Sequence, residues 1–405
     1  MVALHGTIPG AGEGWRVWAL IAALMAYGAF CMPAPQGFGP AELAVALGLF
    51  AAIGPARLFA LSSGLSLRRP GADMLDWVGS LTLLALLLLG GVRGIALGWA
   101  ERDILRDVVP LGFLFLPLLL GPLLACLTPR VLRRLAHAFA LAGLLFALRW
   151  WGSQVMGIGP AGMAGPNSAD YLLNSATVPF AAVWLPLAGL RPALERPGRG
   201  GWVLAGLGLI AGLACLGALA EAVHRAALLL CLGALGIGFV AQGLLRPRLG
   251  LVLLLGLLAA SSILGPVLLD ALDLVARKTE AVGLNNRLAE VEAVLAQTGR
   301  SPVAFLLGDG WGALLSNPAV GYLRVSYTHS LASYLLLKVG AVGLVLVLAY
   351  LGLLAGRILA AQARRPDLLL AAGPSLLLGL FLHTSFKFLC FGLLLALLTA
   401  RGRGG

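Results

Sequence analysis

Trp202-Val203-Leu204-Ala205-Gly206-Leu207-Gly208-Leu209-Ile210-Ala211-Gly212-Leu213-Ala214-Cys215-Leu216-Gly217-Ala218-Leu219-Ala220 runs without one charged side chain. As a helix it is long enough to cross about 30 Å of hydrocarbon. Similar runs fill most of the chain, and between charged or Pro/Gly punctuation they give spans near 16–31, 41–61, 74–98, 108–127, 134–151, 171–190, 202–220, 226–245, 249–269 and 329–355. A last apolar stretch, 368–400, is interrupted by His383-Thr384-Ser385-Phe386-Lys387 and is too long for one crossing, so it fits two short spans better. The expected fold is an all-α polytopic membrane protein of about twelve transmembrane helices, with residues 1–269 and 329–405 spanning and 270–328 outside the bilayer.

Composition agrees. Of 405 residues, 60% are hydrophobic and 11% charged, against about 25% charged in a soluble domain. The mean hydropathy of +0.95 excludes a soluble enzyme. The net charge of +12 would suggest nucleic acid in a soluble chain, but here the basic residues sit in short connections, so the expected partner is the lipid bilayer and not nucleic acid. Arg68 and Arg69, then Arg130, Arg133 and Arg134, then Arg191, Arg196 and Arg199, then Arg246 and Arg248, then Arg357, Arg364 and Arg365, then Arg401 and Arg403 all fall on one side. The positive-inside rule makes that side cytoplasmic, with both termini in the cytoplasm. Residues 1–14 lack the basic start of a cleaved signal, so the first span is expected to be a retained anchor. The five cysteines stand singly, without metal or redox spacing, and read as small packing residues.

Segment 270–328 is long and hydrophilic, and faces outward on this topology. Its middle reads as an amphipathic helix with Leu284, Leu288, Val291 and Leu295 on one stripe, Asn285 or Asn286 as cap, and Gly299 as terminator. Arg287 lies on the polar face, where the spacing pairs it with Glu290 as a surface ion pair. No Asp or Glu falls in the middle of a span: Glu101-Arg102-Asp103 with Arg106 and Asp107 reads as a self-compensated surface run. That argues against ion-coupled transport, which generally needs an intramembrane carboxylate. Basic Arg93, Arg149, Arg225 and Lys387 lie at outward span ends, against the inside bias, and together suggest an anionic substrate.

Two further motifs follow. Gly308-Asp309-Gly310-Trp311-Gly312 is a Gly-rich turn, and without a preceding strand it is no dinucleotide loop. In Tyr327-Thr328-His329-Ser330 the expected helix cap is Thr328, which places His329 in the first turn. A helix N-terminus disfavours imidazolium and offers N–H groups to an anion, so a neutral histidine there suits a general base. The plainer alternative is an interfacial histidine bonded to its own loop.

The long outward loop, with Arg287, Gly308-x-Gly310 and Thr328-His329 followed by a Leu-rich helix carrying Gly340 and Gly343, resembles the bacterial O-antigen ligase and polymerase superfamily. Over about residues 220–345 the resemblance is motif-specific. The family often has Asn where this chain has Ser330, and Ser where it has His224. The resemblance implies a glycosyltransferase of the bacterial inner membrane. It would move a glycan from undecaprenyl diphosphate to an acceptor hydroxyl, such as lipid A-core or another glycan or protein, on the periplasmic face. It also implies His329, Arg225 and Arg287 as catalytic residues, no metal and no cofactor. Arg324, Arg93, Lys387, Tyr327, Gly308 and Gly310 are secondary candidates for holding substrate. A polymerase or protein oligosaccharyltransferase of the same superfamily fits the motifs as well, and a transporter or flippase of a lipid-linked anion is the alternative outside enzymes.

Overall fold

The computed structural model describes residues 11–33, 39–62, 73–156, 168–195, 198–245, 287–363 and 365–401. The expected span 249–269, Leu284 and the cap at Asn285 or Asn286 lie outside them. In chain order the long helices are α1 (Ala11–Phe30), α2 (Pro40–Ile53), α3 (Pro55–Ser62), α4 (Met74–Ala96), α5 (Glu101–Leu114), α6 (Leu116–Ala125), α7 (Pro129–Met156), α8 (Thr177–Glu195), α9 (Arg199–Glu221) and α10 (Arg225–Leu245). The segment before the next long helix contributes α11 (Arg287–Thr298), α12 (Pro302–Leu307) and a hairpin of β1 (Leu315–Asn317) with β2 (Leu323–Val325). Then come α13 (Leu331–Gln362), α14 (Pro366–Leu377) and α15 (Leu389–Thr399). The protein is a helical, multi-pass membrane protein. Among the described residues seven helices are long and apolar enough to cross a bilayer, or eight if a bent pair counts as one.

Two expected spans are broken. The 41–61 run bends by 84° between α2 and α3, where Gly54 at φ 83° ends the first helix and Pro55 starts the second. The 108–127 run starts earlier, at Glu101, and pauses at Phe115 ahead of Pro117, whose ring cannot continue the hydrogen-bond ladder. The stretch 368–400 is divided at His383, as its polar interruption suggested. Gln362 Nε2 donates to Leu398 O at 2.6 Å and Arg365 to Arg401 O at 3.1 Å, so α14 leaves one end of the bundle and α15 returns to it. Asp76, Arg357 and Arg401 line one cleft at that same end.

The spans pack through small residues, as helices in lipid must where apolar burial gives no net drive. A Cβ on Gly208 would lie 2.4 Å from Leu185 O, and one on Gly143 2.1 Å from Thr177 O, so α9 meets α8 and α7 meets α8 backbone to backbone. The cysteines are unpaired, four of the five buried.

Helix α11 departs from its expected form. On α11 the apolar stripe faces away from the protein: Leu288 is 68% and Leu295 46% exposed, while Glu290, Val294 and Thr298 are buried. The pattern identified the helix and reversed its faces, because the polar side has partners on the hairpin and α13 to satisfy it.

Candidate functional site

Close backbone approaches at glycines bring the segment around 299–330 into the bundle. Gly340 has φ 66° and interrupts α13, which frees the carbonyls of Leu337 and Lys338 from the helix ladder. Asp309 N and Gly310 N donate to those two carbonyls at 2.9 and 2.8 Å. Trp311 N donates to Gly90 O, its indole Nε1 to Leu86 O at 2.8 Å, and the ring is fully buried against α4. A Cβ at Gly94 would lie 2.3 Å from Trp311 O, so only glycine admits this approach. Gly308 N, Gly312 N and Ala313 N are also bonded, to Ala304 O, Asp107 Oδ2 and Gly310 O. Gly308 and Gly310 therefore spend their N–H groups on the protein and form a plug that anchors the segment, with none left for a phosphate. Asp309, also buried, accepts from Arg300 at 2.6 Å and Gln297 at 2.8 Å and ties α11 to the plug.

The anchored segment sets Glu290 beneath His329. His329 Nδ1 lies 2.6 Å from Glu290 Oε2, and His329 N donates to Glu290 Oε1 at 2.8 Å. Asn317 Nδ2 donates to the same Oε2 at 2.7 Å. An ionised carboxylate only accepts, so it holds the proton on Nδ1 and leaves Nε2 as a lone-pair acceptor, the arrangement of an oriented general base. Burial raises the Glu290 carboxyl above its ordinary value, while the Asn317 hydrogen bond and the Arg287 charge pull it back. Glu290 is thus the buried carboxylate that fixes the imidazole, not half of a surface pair. The helix cap is also corrected: Ser330 Oγ accepts from Ser333 N at 3.2 Å, so His329 precedes the cap. Thr328 instead accepts from Ser333 Oγ at 2.9 Å and braces the turn.

Arg287, three residues before Glu290, is partly buried, and its Nη1 has no hydrogen-bond partner among the described residues. Burial lowers its affinity for the proton, and the Glu290 and Tyr327 charges oppose that. The Tyr327 ring stands edge-on to His329 at 5.8 Å, and burial raises its phenol above the ordinary value. The His383 ring stacks on His224 at 5.9 Å. Arg225 follows His224 directly and opens α10, after a turn in which Val223 adopts φ 54°, a strained conformation for a β-branched residue. His224 and His383 share a small cavity with Asn174, Ser175, Ser375 and Ser385. Arg287, Tyr327 and His329 thus lie around Glu290, while His224, next to Arg225, packs with His383 at a separate small cavity.

The other candidates are placed differently. Arg93 donates to Gly308 O, and Arg149 donates to Gly28 O and Cys31 O. Arg324 is exposed on β2. Lys387 lies 3.1 Å from Asp107 and 4.5 Å from the Tyr334 ring centroid.

No family model, curated protein or solved structure matches this chain.

Asp107 is the largest correction. It lies in α5 within a span, fully buried, and accepts from Lys338 Nζ at 2.5 Å, Tyr334 OH at 3.0 Å, Lys387 Nζ and Gly312 N at 2.9 Å. The run 101–107 carries an i,i+3 pair, Asp103–Arg106 at 2.9 Å; Asp107 lies one helical turn beyond the half-buried Asp103 on the same face and is fully enclosed. Nothing in the local sequence marks the difference, because the partners stand more than 200 positions away. Among the described residues no group of His, Cys, Asp or Glu has the proximity to hold a metal ion.

Proposed function

We propose that this protein is a glycosyltransferase of the O-antigen ligase and polymerase type, with about twelve spans and its site on the periplasmic face. It would take a glycan from undecaprenyl diphosphate to an acceptor hydroxyl, lipid A-core in the ligase case. The observation that carries this is the Glu290–His329 pair, an imidazole held by a carboxylate with Nε2 free, three residues from an arginine with a buried unpartnered nitrogen. In the reaction Nε2 of His329 accepts the proton of the acceptor hydroxyl. The oxygen attacks the anomeric carbon, the bond from that carbon to the diphosphate oxygen breaks, and the configuration inverts. Arg287 and Arg225 take the charge that builds on the departing diphosphate, since guanidinium binds phosphate oxygens bidentately and keeps its charge at working pH. Tyr327, edge-on to His329, and the exposed Arg324 are the further candidates to hold substrate.

Two arginines in place of a divalent ion make the reaction metal-independent. Purified protein should keep its full transfer rate in EDTA; a loss restored by magnesium or manganese would refute that assignment. A second reading draws on Asp107, a buried in-span carboxylate between Lys338 and Lys387, the kind of group an ion-coupled transporter of a lipid-linked anion would use. That reading predicts full function for His329→Ala, whereas the transferase predicts none.

A further inference from the structure

Far from Glu290 and His329, at the end of the bundle where Arg191 meets Asp367, α7 and α8 enclose a cavity of about 120 Å³ lined by Arg133, His137, Trp184, Arg191, Glu195 and Asp367. Trp184 is 3% exposed, yet its indole Nε1 has no hydrogen-bond partner among the described residues. A buried, unsatisfied N–H costs about 1–3 kcal/mol, so a donor kept there calls for an acceptor. The ring is fixed by stacking on Phe180 at 5.7 Å and by the His137 edge at 5.6 Å, while His137 Nδ1 is bonded to Arg133 O at 2.7 Å. Arg191 is occupied by Glu195 at 2.5 Å and Asp367 at 3.7 Å, and Arg133 presents an exposed guanidinium beside them.

The cavity adjoins an apolar groove of about 540 Å³, with His137, Ala188 and Pro192 lining both. Leu141, Leu144 and Leu148 of α7 and Leu204, Leu207 and Ala211 of α9 line the groove. From His137 to Leu148 it runs about 16 Å along α7 at 1.5 Å per residue, roughly the hydrocarbon depth of one leaflet. A polar head pocket with a donor and a cation that have no partner among the described residues, beside a leaflet-deep apolar trough, has the form of an amphiphile site.

We infer that this is a binding site for a bilayer glycerophospholipid. The phosphate accepts from the Trp184 N–H and from Arg133, and one acyl chain lies in the α7–α9 groove. Glu195 and Asp367 stand where a headgroup ammonium would meet them, so phosphatidylethanolamine is expected to bind more tightly than phosphatidylglycerol.

Native mass spectrometry of the purified full chain in detergent, titrated with phosphatidylethanolamine, phosphatidylglycerol or diacylglycerol, tests this. Wild type should retain one phospholipid and discriminate against diacylglycerol. Trp184→Phe keeps the ring and removes the donor, and Arg133→Gln changes only an exposed side chain; each should weaken phospholipid binding about tenfold. Ala211→Phe should fill the groove and lower retention as well, while Trp77→Phe, on an exposed face of α4, should change nothing. Unshifted melting temperatures in lipid-free detergent show that the variants are folded, and Arg133→Gln carries the test if Trp184→Phe does not fold. Equal binding of diacylglycerol, no retained phospholipid, or wild-type affinity in both Trp184→Phe and Arg133→Gln would overturn the site.

Discussion

Replacing Glu290 with Gln tests whether the carboxylate orients the base. Three donors converge on Glu290: His329 Nδ1 at 2.6 Å, His329 N at 2.8 Å and Asn317 Nδ2 at 2.7 Å. A glutamine offers one acceptor oxygen and one NH2, so either orientation sets a donor against a donor, and the negative charge that supports an imidazolium after proton transfer is lost. A hydrogen bond to a charged group contributes about 1.5–3 kcal/mol, which corresponds to a fall of about 10- to 150-fold in turnover. The assay is transfer from a purified lipid-linked donor to its acceptor, with kcat and KM separated across pH. A positioning role places the loss in kcat, with KM little changed. Because burial raises the Glu290 carboxyl, the wild-type rate should decline with falling pH while still above the ordinary carboxylate range, as protonation of Glu290 releases the imidazole. The Glu290→Gln rate should be low throughout, and its acid limb should change, because only protonation of the base itself then remains to cause it. The sign for stability is opposite: a carboxyl raised in the fold contributes stability that is complete below its unfolded value and lost as pH rises through the raised one, a dependence the variant should lack. Wild-type kcat in Glu290→Gln, or an unchanged acid limb, would refute the orienting role.

Arg287→Ala and Arg225→Ala should each lower turnover by about two orders of magnitude or more in folded protein, with Arg287→Lys recovering part of it; near-normal single-turnover rates would remove them from the diphosphate site. Asp107→Asn leaves Lys338 and Lys387 without their buried counter-charge and should cost about 3–5 kcal/mol, seen as a large drop in melting temperature, whereas Lys387→Met leaves the Asp107–Lys338 pair and should cost less. Gly94→Ala forces a methyl against the Trp311 carbonyl and should destabilise by about 1–3 kcal/mol, with the plug detected as partly released by proteolysis of the 299–330 segment.

The fold class was legible because apolar run length is a local signal, and runs such as 202–220 needed no tertiary information. The break at His383 was marked by a polar interruption, whereas 41–61 reads as one apolar run and its turn at Gly54–Pro55 emerges only in the structure. His329 and Arg287 were singled out as motif residues, but the groups that surround them were not. Glu290 reads in sequence as a surface partner for Arg287, and only the hairpin residue Asn317 and the turn before α13 reveal it as the support of the histidine. Asp107 failed for a related reason, since a charged run around a helix places some members inward, and Lys338 and Tyr334, more than 200 positions away, satisfy the one that turns in. The Gly-rich turn illustrates the converse: glycines that suggest a phosphate cradle serve close backbone approach to Gly94 and Gly340.

The lipopolysaccharide and lipid-linked glycan profile of a deletion strain, complemented with wild type or with His329→Ala, tests the central assignment most directly. For the ligase, the deletion and the alanine variant should both show lipid A-core without a ladder and polymer accumulating on the carrier, with wild type restoring the ladder. An unchanged profile on deletion, or full restoration by His329→Ala, would contradict a histidine-assisted transferase of this substrate.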